Sequence, residues 1–490
     1  MVTTKLSGWI GPLIATVIGA ILRFPGLGTP KSLIFDETYY AKDSLALLNF
    51  GYERGAVEGA DKLLIDSGGI GYEKIFTDQP SFVVHPPLGK WMIAFTENLF
   101  GATPVGWRII MAIVGTLSIL IAARIARRLT GSNLVGTLTG LLLAFDGLHI
   151  VMSRTALLDT PLALFILCAF GCLIIDRDTR LEKINQQVTL GFPWWRIGTA
   201  VFLGCAFATK WSALYYIAAF LILMLVWDLK LGRTFPEVAS PLSRLWRWVV
   251  ASIGSMAIIV TVYLTSWIGW FRSTNAWDRQ WANGQPPNIF PNTLRSLWHY
   301  HYEMFNFHVH LNSPHNYRAN AWGWPLMIRP TSFFYESKPT CGAVTCSQEV
   351  IPLGNPIIWW GGAIALAYVL YLAIRFKSSS ATAILTGFAA GWVPWLFFPN
   401  RTTFTFYAIV FIPFTAMALA LALAHINDRL TEKSLEYVGP AHFKWLRGNW
   451  PVIGVVATVI ALAIFFAPIY YGHSIPYEHW NLRMWFKSWI

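Results

Sequence analysis

Charge is what this chain has least of. Only 13% of its 490 residues are Asp, Glu, Lys or Arg, about half the ~25% of an ordinary soluble domain. A surface so poor in charge excludes a water-soluble globule and suits a chain whose long flanks face lipid. Acids are scarcer than bases, 25 against 37, and the formal net charge is +12. In a soluble chain that balance would point to nucleic acid. Here the Lys and Arg gather in short connections between apolar runs, so they report topology first and no nucleic-acid partner is expected. Cysteine is rare as well: five residues, with no CxxC and no His/Cys spacing of a metal site. Cys168, Cys172 and Cys205 fall in apolar runs and read as inert core. Cys341 and Cys346 fall in a polar loop. They can form a local disulfide only if that loop lies outside the cytoplasm. No repeat of fixed period and no low-complexity tract is present.

What the chain has in abundance is apolar and aromatic residues, 55% and 16%, with 25 Trp. The aromatics suit interfacial belts, and also surfaces on which sugars stack. Runs long enough to cross a bilayer, ~20 residues each, are expected over 8–24, 104–123, 133–150, 157–175, 197–212, 213–229, 247–269, 356–375, 381–398, 405–425 and 450–470. That is an all-α polytopic membrane protein of about eleven spans in one domain, 1–490. The run after Lys5 lacks a small-residue cleavage site and reads as a retained first span. Arg124, Arg127 and Arg128, then Arg177, Arg180 and Lys183, then Lys230, Arg233, Arg244 and Arg247, then Arg375 and Lys377, then Arg429, Lys433, Lys444 and Arg447 all fall on one side if the N-terminus is there too. The excess of positive charge marks that side as cytoplasmic. Segments 25–103, 270–355 and 471–490 then face outward, and the two termini lie on opposite sides. The outward segments hold amphipathic runs at 39–50, 85–100 and 294–311. The last carries Leu294, Leu297, Trp298, His301, Tyr302, Phe305 and His308 at helical spacing and reads as a helix lying in the interface.

An ionisable residue within a span costs at least ~2.5–3.5 kcal/mol, so each one asks for a function. Asp36, Glu37, His85, Lys90, Arg108, Arg154, Asp159 and Arg401 fall at or near the expected outer boundary. Lys210 joins them if the fifth span is short. Cations beside an acid at that level suit an anionic lipid head: Lys and Arg hold a phosphate and stabilise it as it leaves. A carboxylate among them can take a proton from an attacking hydroxyl. Each residue alone has a plainer reading. Arg108 or Arg401 could snorkel to the interface, Arg154 and Asp159 could pair across a turn, and Asp146 could cap a helix end. The pairs His299/His301 and His308/His310 point to different helix faces, which argues against a metal. It is the co-occurrence on one face that favours a site.

Several motifs taken together then become specific. The stretches FDETYY (35–40), HPPLGKW (85–91), FDGLHIVMSRTALLDTPL (145–162), ATKWSALYY (208–216) and WGWPLMIRP (322–330) occur in this order over nearly the whole chain. In order and spacing they resemble the protein O-mannosyltransferase family, of the GT-C class of multi-span glycosyltransferases. The resemblance implies polyprenyl-phosphate mannose as donor, Ser/Thr hydroxyls of proteins emerging from the secretion machinery as acceptor, an outward-facing site, and no cofactor or metal. It implies Asp36 as general base and Glu37 as acceptor-orienting. Arg108 and Lys210 become donor-phosphate ligands, and His85 and Lys90 line the same pocket. Arg154 and Asp159 become scaffold or donor-proximal residues. Trp324, Pro325 and Arg329 lie by the outer surface, with Trp324 on the acceptor side. Arg401 and Tyr407 match a donor-proximal turn loosely. Eukaryotic members carry a β-trefoil domain in the second outward segment; 270–355 is too short for one. The chain therefore resembles a bacterial, actinobacterial-type member of the plasma membrane.

Two other readings stay in view. Another GT-C enzyme could move a different lipid-linked sugar, such as aminoarabinose, onto a lipid. A transporter or lipid flippase would spread polar residues through the midplane with an inverted repeat, and neither feature is seen.

Overall fold

The computed structural model describes residues 7–234, 240–337, 340–434 and 441–490. Helix α1 (Ser7–Arg23) leads into an outward segment built from α2 (Glu37–Phe50), α3 (Ala60–Ser67) and α4 (Leu88–Phe100). A two-stranded antiparallel sheet, β1 (Arg54–Ala56) with β2 (Phe76–Pro80), completes it. Then come α5 (Pro104–Thr130), α6 (Asn133–Ala144), the short α7 (Gly147–Met152), α8 (Asp159–Asn185), α9 (Trp194–Phe207), α10 (Ala213–Thr234) and α11 (Pro241–Ser266). The second outward segment holds α12 (Ile268–Arg272) and α13 (Asn292–His310). It ends in strands β3 (Phe334–Glu336) and β4 (Cys346–Val350). Four long helices close the chain: α14 (Pro356–Arg375), α15 (Ser379–Trp392), α16 (Ile412–Ser434) and α17 (Ala441–Tyr471). Strand β5 (Ser474–Pro476) and α18 (Tyr477–Asn481) follow.

Each of the eleven expected spans overlaps one of these helices. Among the described residues, seven helices are long and apolar enough to cross a membrane by length and composition. This is a multi-pass membrane protein. Helix ends follow local chemistry. Thr103 caps α5 by accepting from the Gly106 N–H at 3.2 Å, with Pro104 at the first turn, and Gly131 in the left-handed conformation ends it. Two expected spans are interrupted. Run 133–150 breaks at Phe145–Asp146, where the Asp146 carboxylate caps α7 instead of extending α6. Run 405–425 opens as a 3₁₀ turn over Thr405–Val410 before α16 begins. Small residues let the spans close up: a Cβ on Gly362 of α14 would sit 2.3 Å from Thr415 Cγ2 of α16.

The outward segments pack on each other. Phe82 meets Trp277 and Tyr300, with centroids 4.6 and 5.5 Å apart. The Tyr300 hydroxyl bonds both the N–H and the C=O of Val83. The expected interface helix is α13, with Leu297, Tyr300 and Met304 buried and Trp298, Tyr302, Phe305 and Val309 exposed along one side. The tail joins the second segment as well, because β4 pairs antiparallel with β3 on one edge and β5 on the other. An all-helical reading misses these strands; at three to five residues each they leave little periodicity to read. A disulfide joins Cys341 to Cys346, the first residue of β4. At the other end of the bundle, Arg128 at the end of α5 pairs with Asp178 of α8 at 2.7 Å. Arg177 reaches Ser379 of α15 at 3.3 Å, so basic connections expected to share a side do meet.

Asp146 is a polar tie inside the bundle. Its carboxylate accepts from the His149 N–H at 2.9 Å, the Asn355 N–H at 3.0 Å and Trp359 Nε1 at 2.9 Å. It thereby fastens α7 to α14. Asp146→Ala strands three buried donors and should lower the stability of the detergent-solubilised protein by about 3 kcal/mol or more. An unchanged unfolding midpoint would show that the tie contributes nothing.

Candidate active site

The two adjacent acids of IFDETYY go in different directions, since successive residues at a helix start diverge by about 100°, and the residue before them sets how the chain enters that helix. Phe35 has φ +49°, a conformation costing about 1–2 kcal/mol for a side chain with a Cβ. Its ring is held in an aromatic box, 4.8 Å from Phe333, 5.6 Å from Phe404 and 5.4 Å from Phe406. The turn at Phe35 ends the loop, and α2 starts at once with Glu37.

Glu37 points inward and is fully buried. It takes Arg108 Nε at 2.8 Å and Nη2 at 2.7 Å, and also the backbone N–H of Ile34 at 3.1 Å and of Ala156 at 2.9 Å. Arg108 gives its remaining N–H groups to the carbonyls of Leu27 and Pro30, at 3.0 and 2.9 Å, and Ser32, at 2.7 Å. A guanidinium has five N–H donors, and all five are engaged. The expected phosphate-ligand role of Arg108 is therefore at odds with its surroundings: it is buried and has no donor to spare. Glu37 likewise presents no oxygen to an acceptor. Arg154 is committed in the same way, to the carbonyls of Arg23, Pro25 and Gly26, with its guanidinium over the Tyr471 ring at 4.6 Å. Of the two readings it had, scaffold is the one its bonds fit.

Asp36 is different. Its carboxylate makes no hydrogen bond or ion pair among the described residues and is partly exposed. Burial raises its pKa to about 7, opposed by the Lys210 ammonium and reinforced by Asp159. Lys210 occupies the break between α9 and α10. Its Nζ donates to both Asp159 oxygens, at 2.9 Å each, and lies 4.4 Å from the centre of the Tyr407 ring. Asp159, the first residue of α8, thus holds Lys210 in place.

Tyr407 is ringed by Trp395 at 5.3 Å and Trp324 at 5.8 Å. Trp324 is itself fully buried, with Nε1 on the Ala319 carbonyl, so it backs Tyr407 and offers no surface to an acceptor. Arg329 binds the carbonyls of Asn316, Ser488 and Ile490, away from this cluster. Arg401 lies over Trp395 at 5.2 Å, with Nε on the His308 carbonyl and Nη2 on His308 Nδ1. His308 Nε2 bonds the Val84 carbonyl at 2.7 Å, which makes Nε2 the protonated nitrogen and Nδ1 the acceptor. His85 stacks on His308 at 5.3 Å. Burial and the nearby cations keep both rings neutral, His85 well below its ordinary pKa and His308 pushed down to about 4.

Lys90 is not free for a phosphate. It pairs with Glu53 and lies 3.8 Å from Asp43, which burial raises to about 6 despite Lys90. The structure thus brings together Asp36, Asp159, Lys210, Tyr407, Arg401 and His85, and turns Glu37, Arg108, Arg154 and Trp324 into their support. Two contributors escape the sequence reading: the ring of His308 as an orienting partner, and Tyr40, whose ring lies 6.3 Å from that of His85. Tyr40 could have been found, since it lies four residues after Asp36 on the same face of α2.

Comparison with known proteins shows the family and the fold. A family model described as dolichyl-phosphate-mannose-protein mannosyltransferase matches residues 85–271. A second, the C-terminal four TMM region of protein-O-mannosyltransferase, matches 293–489. The polyprenol-phosphate-mannose–protein mannosyltransferase of Mycolicibacterium smegmatis is 34% identical, over 99% of this chain and 93% of its own length. The chain belongs to the protein O-mannosyltransferase family. Enzymes of the same description from Mycobacterium tuberculosis and Corynebacterium glutamicum are 33% and 32% identical, each over 99% of this chain and 92% or more of their own. In fold, the chain matches the S. cerevisiae Pmt1-Pmt2 complex bound to the sugar donor, with TM-score 0.75 and 15% identity over 100% of this chain and 93% of that one. It matches ArnT from Cupriavidus metallidurans bound to undecaprenyl phosphate at 0.53, with 17% identity over 98% and 77%. The GT-C fold is shared by all three.

The Glu37–Arg108 pair generates a direct test. Arg108→Ala leaves a carboxylate buried without its cation, a loss of about 3–5 kcal/mol. Glu37→Ala should cost a similar amount, and the double variant much less than the sum, as read from unfolding in detergent. Additive losses would mean that the two residues act independently.

Proposed function

We propose that this mannosyltransferase moves mannose from polyprenyl-phosphate mannose to Ser/Thr hydroxyls of proteins arriving at the outer face of a bacterial plasma membrane. The N-terminus is cytoplasmic, and segments 25–103, 270–355 and 471–490 are extracytoplasmic. Support for the donor comes from what the actinobacterial relatives are called, and support for the orientation from the basic connections gathered at the opposite end of the bundle. The observation that carries the mechanism is the unpaired Asp36 carboxylate in the same cluster as the Asp159-held Lys210.

The donor enters from the membrane with its phosphate between Lys210 and Arg401. Among the described residues Arg401 gives three of its five N–H groups to the His308 carbonyl, His308 Nδ1 and the Thr402 carbonyl, which leaves two for a ligand. The acceptor oxygen attacks the anomeric carbon while its proton passes to Asp36. The bond from that carbon to the phosphate oxygen breaks, and the electron pair leaves with the phosphate beside the cations. One carboxylate suffices for this single displacement, so a β-linked donor yields an α-linked product. A double displacement needs a second free carboxyl about 5 Å away, whereas both Asp159 oxygens are on Lys210 and Glu37 is closed off. Transfer of aminoarabinose to a lipid is the weaker reading: the likeness to ArnT is one of fold, whereas the family assignment rests on relatives identical at a third of positions.

Asp36→Asn should reduce transfer of labelled mannose to a Ser/Thr-rich peptide by ~10²–10⁴ or more while keeping expression and detergent stability. Full activity in that variant would remove Asp36 as base. Because the base acts as the carboxylate, wild-type transfer should climb as pH rises through about 7. A rate flat across that range would contradict the assignment. Lys210→Ala should weaken donor binding, measured by titration with polyprenyl-phosphate mannose; unchanged affinity would take the phosphate away from Lys210.

A further inference from the structure

The helices that carry the site at one end hold a second charged cavity at the other. Asp159 opens α8, and Asp176 lies seventeen residues further along the same helix. At ~1.5 Å per residue that is about 25 Å, close to the ~30 Å hydrocarbon core of a bilayer. Between the ends of α8, α9 and α10 is a cavity of about 180 Å³, lined by Arg177, Arg180, Arg196, Lys230, Asp176 and Asp228.

The charges do not cancel. Arg196 spans both acids, with Nε 2.8 Å from Asp176 and Nη2 3.0 Å from Asp228. Arg180 adds a second cation 3.2 Å from Asp228. Arg177, Arg180 and Arg196 against Asp176 and Asp228 leave three arginines facing two acids, an excess of one positive charge. Asp178, just outside, is shared between Arg177 and Arg128 at 2.7 Å each, so counting that pair leaves the excess unchanged. The guanidinium of Arg177 also lies 5.0 Å from the Trp227 ring. The rest of the wall is apolar, including Leu173 and Met224. Beside it Phe192 and Trp194 stack on each other and stay largely exposed. Salt-bridge glue alone needs no surplus of cations, and a site for a water-borne anion needs no apolar wall or exposed aromatics beside it.

We propose that this cavity binds the phosphate of an anionic phospholipid of the leaflet opposite the active site, with Arg177 and Arg180 as its main ligands and the apolar wall receiving the start of the acyl chains. The phosphate could in principle come from solution, so the test separates the two sources. The purified full chain is offered equal phosphatidylglycerol and phosphatidylcholine, and the retained lipid is counted by native mass spectrometry. Wild type should retain phosphatidylglycerol preferentially. Arg177→Gln and Arg180→Gln should each reduce that retention about fivefold, the effect of removing one charge near a lipid surface, and Arg180→Lys should keep most of it. Mannosyl transfer should persist in these variants, showing that they fold and that the catalytic end is intact. Equal retention by wild type and both variants would overturn the site. Should a variant fail to fold, wild type alone decides: phosphatidylglycerol should raise its unfolding temperature and phosphatidylcholine should not. Equal shifts with both lipids, or stabilisation by inorganic phosphate matching that by phosphatidylglycerol, would overturn the lipid assignment.

Discussion

One buried ion pair sets the geometry of everything around it. Glu37 and Arg108 neutralise each other in a buried place, and together they collect two backbone N–H groups and three carbonyls from two stretches of chain, 27–34 and the turn at Ala156. Such a pair is weak evidence for stability, since its desolvation offsets much of its attraction. Its effect is on shape. It fixes the loop after α1 against α5 and against the turn before α8, so α2 can start in only one orientation. The neighbouring acid is then left facing the other way, toward Lys210. A carboxylate free of partners inside a fold full of partnered ones is the condition a general base requires.

The same economy recurs in the cations. Arg108 and Arg154 hold carbonyls, Lys90 holds two acids, and Lys210 is held by one acid and a ring. Only residues with capacity left over can serve a substrate. Sorting the charged groups by what they already touch therefore divides the functional from the structural more sharply than sorting them by position near the membrane boundary. His308 belongs to this logic too: with one nitrogen fixed by the Val84 carbonyl, the other accepts from Arg401, and a neutral imidazole orients a cation without repelling it.

Much of the architecture was legible in the sequence because lipid imposes long apolar runs, and each expected run overlaps a helix, with breaks at Asp146 and before α16. The break at Lys210 was legible too, since TKWS interrupts an apolar stretch. Asp36 could be singled out by motif and position. The fate of Glu37 and Arg108 could not: the partners are 71 residues apart, and nothing local marks which cation a buried acid will meet. Lys210 and Asp159, 51 apart, raise the same difficulty. Trp324 was placed on the acceptor side through the motif WGWPLMIRP, yet it is fully buried beside Ala319, Trp395 and Tyr407, which are distant in sequence or carry no local sign of that packing. Strands of three residues escape because the period of two needs length to show.

The three-stranded sheet on the outer face has a further consequence. Its central strand, β4, lies ahead of four long helices, while its outer partner β5 comes after all of them. A chain made from its N-terminus cannot complete this sheet until α17 has been inserted and the segment behind it has emerged. The cover over the second outward segment is therefore the last part of the fold to close, and its closing registers that every preceding helix has already been threaded.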